Sequence, residues 1–198
     1  VGMLVRTPGP RFAAVLDAAT ATIYATVLVS SVVLLIDGGA DAADPSAALA
    51  AVLVAFGLGS IGVAVALPAL LRRLRDTTVM LLGAGLAVLV LAATAAAALL
   101  GDLSVLGIGV LWALLGASSS AISTPSARLI RREVAPDQHA AVFAARFSTS
   151  HAWYAVTYPV AGLLGTIAPS GVATAALAAL AAAALIAGLA MVPPRSPD

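Results

Sequence analysis

The feature that most constrains this chain is the spacing of its charges. Six stretches run almost without charge: residues 12–36, 46–71, 78–100, 103–124, 141–168 and 171–192. At 1.5 Å rise per residue, about 20 helical residues cross the roughly 30 Å of a bilayer's hydrocarbon. Each stretch meets that length. Backbone polar groups in lipid are satisfied only by helices or closed barrels. None of the six alternates apolar and polar residues with period two, so helices are expected. Breakers fall between the stretches: Asp37-Gly38-Gly39, Asp44-Pro45, Gly101-Asp102, Pro136-Asp137, Pro169-Ser170-Gly171 and Pro193-Pro194. The expected fold is all-α, a membrane protein with a six-transmembrane-helix bundle over 12–192. It is flanked by cytoplasmic segments 1–11 and 193–198.

Composition closes off the alternatives. The chain is 62% hydrophobic and 10% charged, with a mean hydropathy of +1.09. A water-soluble domain carries about 25% charged residues. A net charge of +1 offers no concentrated basic patch for nucleic acid. Cysteine is absent, which excludes disulfides, thiolate zinc sites and a thiol nucleophile. Arg6 and Arg11 precede the first apolar run as they would in a signal peptide. That run is about 25 residues, however, against 7–15 for a signal sequence, so it is read as a retained span.

The basic residues, all Arg, alternate along the chain. Arg6 and Arg11 come first, and the loop 37–44 has none. Arg72, Arg73 and Arg75 follow the second stretch, and the Gly101-Asp102 turn has none. Arg128, Arg131 and Arg132 follow the fourth, the Pro169 turn is bare, and Arg195 lies in the tail. The positive-inside rule places every Arg-bearing segment in the cytoplasm, with both termini there. An even number of spans demands the same. The expected location is the plasma membrane.

Ionisable residues within the stretches carry most of the functional information, because a charge in lipid costs at least about 2.5–3.5 kcal/mol. Asp17 lies about 8 Å into the first stretch. It reads as a proton site, as a contact to a substrate cation, or as an interfacial carboxylate paired with a cytoplasmic Arg. Arg146 lies near the start of the fifth stretch and is placed to snorkel toward headgroups. His151 lies deeper, and an imidazole with an ordinary pKa of about 6.5 suits proton exchange. His151, Tyr154 and Tyr158 share a helix face, with Ser150, Trp153 and Thr157 on the adjoining stripe. The alternative for His151 is a hydrogen bond to a neighbouring Ser or Tyr. No nucleophile, base and orienting group come together, so no enzyme is read, and no cofactor or metal set is evident. Ser118, Ser119, Ser120 and Ser123 read as residues bonding i−4 carbonyls or permitting close packing. The glycines of the second, third and fourth stretches read the same way.

Six spans, cytoplasmic termini and an Arg-rich loop after the second span resemble one half of a major facilitator superfamily transporter. The superfamily's loop signature is Gly-x-Leu-x-Asp-Arg-x-Gly-Arg-Arg. Residues 68–77, Pro-Ala-Leu-Leu-Arg-Arg-Leu-Arg-Asp-Thr, are similar to it at Leu70 and Arg73. They depart from it at Pro68, Arg72 and Arg75, as a second-half copy does. Residues 147–154 and 158–165, with the run at 123–128, resemble helices of bacterial efflux members. Pro159, Gly162 and Gly165 resemble the tail of an antiporter motif.

The resemblance implies helices seven to twelve of a twelve-helix fold, which needs its N-terminal six-helix half or a second copy. It implies alternating access, coupling to protons and efflux of a small-molecule substrate. The implied path residues are His151, Asp17, Tyr154, Tyr158 and Trp153. The implied gating loops hold Arg72, Arg73, Asp76 and Arg131, with Arg73 to Asp76 and Arg131 to Glu133 or Asp137 as candidate latches. A six-helix membrane subunit or scaffold that transports nothing is the competing reading.

Overall fold

The computed structural model describes residues 2–36 and 44–193. Residues 37–43, with Asp37 and Asp41, and the tail bearing Arg195 lie outside them. Among the described residues there is no strand. The short α1 (Gly2–Arg6) leads into α2 (Pro8–Ala25), a π-helical turn (Thr26–Ser30) and α3 (Ser31–Ile36), which run on as one rod. There follow α4 (Pro45–Leu70), α5 (Asp76–Leu100), α6 (Val105–Glu133), a 3-10 turn (Pro136–Gln138), α7 (His139–Ile167) and α8 (Ser170–Ala190).

Local chemistry sets these boundaries where the breakers predict them. Asp44 caps α4, its carboxylate accepting from the amides of Ser46 (2.9 Å) and Ala47 (3.2 Å), with Pro45 at the first helical position. Gly101 ends α5 in the left-handed region (φ 71°), which only glycine adopts freely. The Ser104 hydroxyl caps α6 through the Gly107 amide at 3.0 Å. The α6 helix outruns the stretch 103–124 and reaches Glu133. Its 29 residues make about 43 Å, so the Arg-bearing last turns extend past one membrane thickness.

Among the described residues, five helices are long and apolar enough to cross a membrane: Pro8–Leu35, Pro45–Leu70, Asp76–Leu100, Val105–Glu133 and Ser170–Ala190. The fold is therefore that of an all-helical bundle compatible with a membrane. The expected sixth span is not among them. The α7 helix has the length, 29 residues, but its middle carries Ser148, Thr149, Ser150, His151, Thr157 and two tyrosines, which lower its hydropathy.

The α2–α3 rod is the axis of the bundle. It buries Phe12, Leu16, Ile23 and Leu34 completely and packs against α6, α7 and α8. Trp112 of α6 is fully buried and its indole N–H donates to the Ser31 hydroxyl at 2.8 Å, tying α6 to α3. The α5 helix packs on α6 and α8. The α4 helix lies outside and leans mainly on α6. There a Cβ on Gly59 would strike the Ala113 backbone and one on Gly116 the Phe56 backbone, so two glycines let the helices touch main chain to main chain. Of the other glycines expected to pack, Gly57, Gly62, Gly85 and Gly109 have no neighbour a Cβ would meet, because they turn away from adjacent helices.

Candidate functional site

A cavity of about 390 Å³ opens between α2, α6 and α7. The rod supplies Asp17, Thr20 and Tyr24, spaced i, i+3 and i+7 so that they share a face. The α6 helix supplies Ser119 and Ser123, and α7 supplies Phe143, Arg146, Phe147, Ser150 and Tyr154 at the same helical spacing.

At its wall Arg146 grips Asp17 with two parallel hydrogen bonds. Nε donates to Oδ2 at 3.0 Å and Nη2 to Oδ1 at 2.7 Å. This fork-on-fork geometry is the strongest form of the interaction. The Asp17 side chain is 5% exposed and that of Arg146 15%. Counted from the helix starts, Asp17 lies about 13 Å along α2 and Arg146 about 10 Å along α7. Arg146 therefore does not snorkel to the surface as its sequence position implies. Asp17 holds it inside, because a carboxylate buried beside α7 demands a cation.

The aromatic groups continue from this pair. Tyr24 and Tyr154 meet edge to face with centroids 5.9 Å apart, and Tyr24 meets Phe56 at 5.6 Å. The expected stripe on α7 is present: His151 to Tyr154 at 5.5 Å and Tyr154 to Tyr158 at 5.6 Å. Only Tyr154 of the three lines the cavity. His151 is exposed, lies 3.9 Å from the Phe147 ring, and its Nδ1 is 2.8 Å from the Phe147 carbonyl oxygen. Trp153 points elsewhere, its indole donating to the Ala14 carbonyl at 3.3 Å. Ser118 and Ser123 bond the carbonyls of Leu114 and Ser119 one turn back, which leaves α6 close-packed as expected.

A second polar cluster joins the helix ends. Asp76, 5% exposed, receives Arg132 Nη1 at 3.4 Å as a hydrogen bond, and Arg128 Nε at 3.4 Å as an ion pair without hydrogen-bond geometry. Glu133 Oε2 accepts from the Gly9 amide at 2.7 Å, joining α6 to the start of α2. The latches drawn from the sequence are thus replaced. Asp76 opens α5 beside the last turns of α6, on the side of Arg128 where Arg132 lies, and Arg131 stands about 100° round the helix from Arg132. Arg72, Arg73 and Arg131 are exposed and form no ion pair among the described residues. These contacts gather the starts of α2 and α5, the end of α6 and the Arg-rich turn after α4 at one end of the bundle.

Thr20, Tyr24, Ser119, Ser123, Phe143 and Phe147 are site residues that the sequence reading missed, although the i, i+3, i+7 spacing from Asp17 pointed to the first two. Among the described residues no three His, Asp or Glu side chains cluster as a metal site. No family model, curated protein or solved structure matches the chain.

Proposed function

We propose that this chain is one half of a secondary active transporter of the major facilitator kind, moving a small amphipathic molecule outward in exchange for protons. The buried Asp17–Arg146 pair at the wall of an open cavity carries this reading. Two charges between apolar helices are expensive, and replacing such a pair with apolar residues is often stabilising. A bundle needing only to pack would do without it.

The pair clasps α2 to α7. A proton taken by the Asp17 carboxylate removes one charge and weakens the clasp, which lets α7 shift against the axial rod. Tyr154 and Tyr24 line the path beside it. His151, exposed on the same face of α7, is placed to pass protons between water and the cavity edge. The opposite wall belongs to a second six-helix bundle, and rocking of the two exposes the cavity to each side of the membrane in turn.

The test uses membrane vesicles holding the full protein and an imposed pH gradient, challenged with fluorescent amphipathic probes that are cationic, neutral or anionic. At least one probe class is expected to release protons as it moves. Asp17→Asn should abolish that coupling and His151→Ala should alter its pH dependence. Vesicles in which no probe moves protons would instead leave a non-transporting subunit.

A further inference from the structure

We propose that the cavity between α2, α6 and α7 selects an amphipathic organic anion, of which an aromatic carboxylate is the simplest member. This deepens the reading above and rests on it for the site's purpose. Four observations lead there.

The first is which charge faces the cavity. In the Asp17–Arg146 pair the carboxylate is the inner member, 5% exposed, and the guanidinium the outer, 15% exposed. No other acidic or basic side chain lines the cavity. Both members of the pair line it, and the guanidinium is the more accessible of the two.

The second is hydrogen-bonding capacity. A guanidinium has five N–H donors, and among the described residues Arg146 uses two of them, both on Asp17. Three remain for a ligand with acceptor oxygens. The third is Thr20. It lines the cavity, is 4% exposed, and its hydroxyl is buried without a hydrogen-bond partner. An orphaned buried hydroxyl costs about 1–3 kcal/mol, and a bound ligand would recover that. Tyr24 and Tyr154 also line the cavity, and each phenol carries one O–H donor. The Thr20 hydroxyl can donate to an acceptor-bearing anion beside the three unused guanidinium N–H groups.

The fourth is shape. The rings of Tyr24, Phe143, Phe147 and Tyr154 border the cavity, and its volume is at the small end of ligand pockets, which run about 300–1,000 Å³. A one- or two-ring molecule fits, with its ring among the aromatics and its carboxylate on Arg146.

The test is calorimetric titration of the full protein in a neutral detergent with benzoate, benzamide and benzylammonium, which share a ring and differ in charge. Benzoate is expected to bind at least tenfold more tightly than benzamide, with no detectable benzylammonium binding. Asp17→Asn removes the internal competitor for Arg146 and should tighten benzoate several-fold. Arg146→Gln should erase the preference over benzamide. Should that variant fail to fold, the charge-balanced Asp17→Asn/Arg146→Gln pair must erase it too. Benzylammonium binding as tight as benzoate, no benzoate binding by the folded protein, or a preference that survives the double change would each overturn the proposal. Benzoate binding without any vesicle flux would sink the transporter reading and keep the site. Flux of cationic probes alone, with no benzoate binding, would do the reverse.

Discussion

The α4 and α7 helices are both peripheral, and each buries only three residues: Ala48, Val52 and Leu67 in α4, and Val142, Thr157 and Ala161 in α7. Their exposed faces differ in kind. The α4 face is Val54, Leu58, Ile61 and Val65, all at least 60% exposed, on a segment of mean hydropathy 2.4. The α7 face mixes Phe147 and Val156 with Ser148, His151 and Trp153. They are also fastened differently. The α4 helix meets α6 through glycine, with dispersion forces acting over close backbones. The α7 helix meets α2 through a charge pair, with the Thr157 hydroxyl donating to the Ala21 carbonyl at 3.3 Å. A helix uniformly apolar outside and glycine-packed inside is built to stand still in lipid. One whose exposed side mixes Phe147, Leu163 and Ile167 with Ser148 and His151, and which is ion-paired inside, is held instead at a charged point.

The largest expected effect comes from breaking the α7 fastening. Arg146→Gln leaves Asp17 as a buried unpaired carboxylate, and such breaks cost about 3–5 kcal/mol. Asp17→Asn should cost less, since Arg146 is the more exposed partner and the amide oxygen of Asn can still accept from it. The double variant should recover much of the loss. Thermal unfolding in detergent gives the ranking. If Arg146→Gln proves harmless, the clasp is not what holds α7, and the contrast with α4 loses its physical basis.

The next effect tests the outer faces. Leu58→Lys places an ammonium at the middle of α4, where lipid insertion is penalised by about 2.5–3.5 kcal/mol. His151→Lys, on the polar face of α7, should cost about 1 kcal/mol or less, because the imidazole it replaces is itself poorly suited to lipid. Glycosylation mapping of membrane insertion measures both. Equal penalties would mean that both helices face lipid alike.

Much of this fold is legible along the chain because apolar length and helix punctuation are local properties. Asp44-Pro45 and Gly101 mark ends that the structure keeps, since caps act within a few residues of themselves. The stripe of His151, Tyr154 and Tyr158 follows from helical spacing in the same way. The Asp17–Arg146 contact does not, because periodicity says which residues share a face but not which two faces meet across 129 positions. The same limit hid the partners of Asp76. The Arg residues nearest in sequence, Arg73 and Arg75, lose to Arg128 and Arg132, which helix packing brings alongside. Thr20 and Tyr24 were within reach: each lies a whole number of turns, near enough, from Asp17.

The smallest effect concerns the α4 fastening, and its sign is the informative part. Gly59 and Gly62 sit three residues apart on the same helix. A methyl on Gly59 meets the Ala113 backbone, which no rotamer change can move aside, whereas one on Gly62 meets nothing within 4 Å. Glycine inside a helix is disfavoured by about 0.5–1 kcal/mol relative to alanine. Gly62→Ala should therefore be neutral or slightly stabilising. Gly59→Ala gains the same propensity but must push α4 off α6, at about 1–3 kcal/mol for overpacking. Melting curves of the two variants should thus move in opposite directions. Parallel shifts would mean that α4 and α6 are not in backbone contact, and that glycine is not what fastens α4 to the bundle.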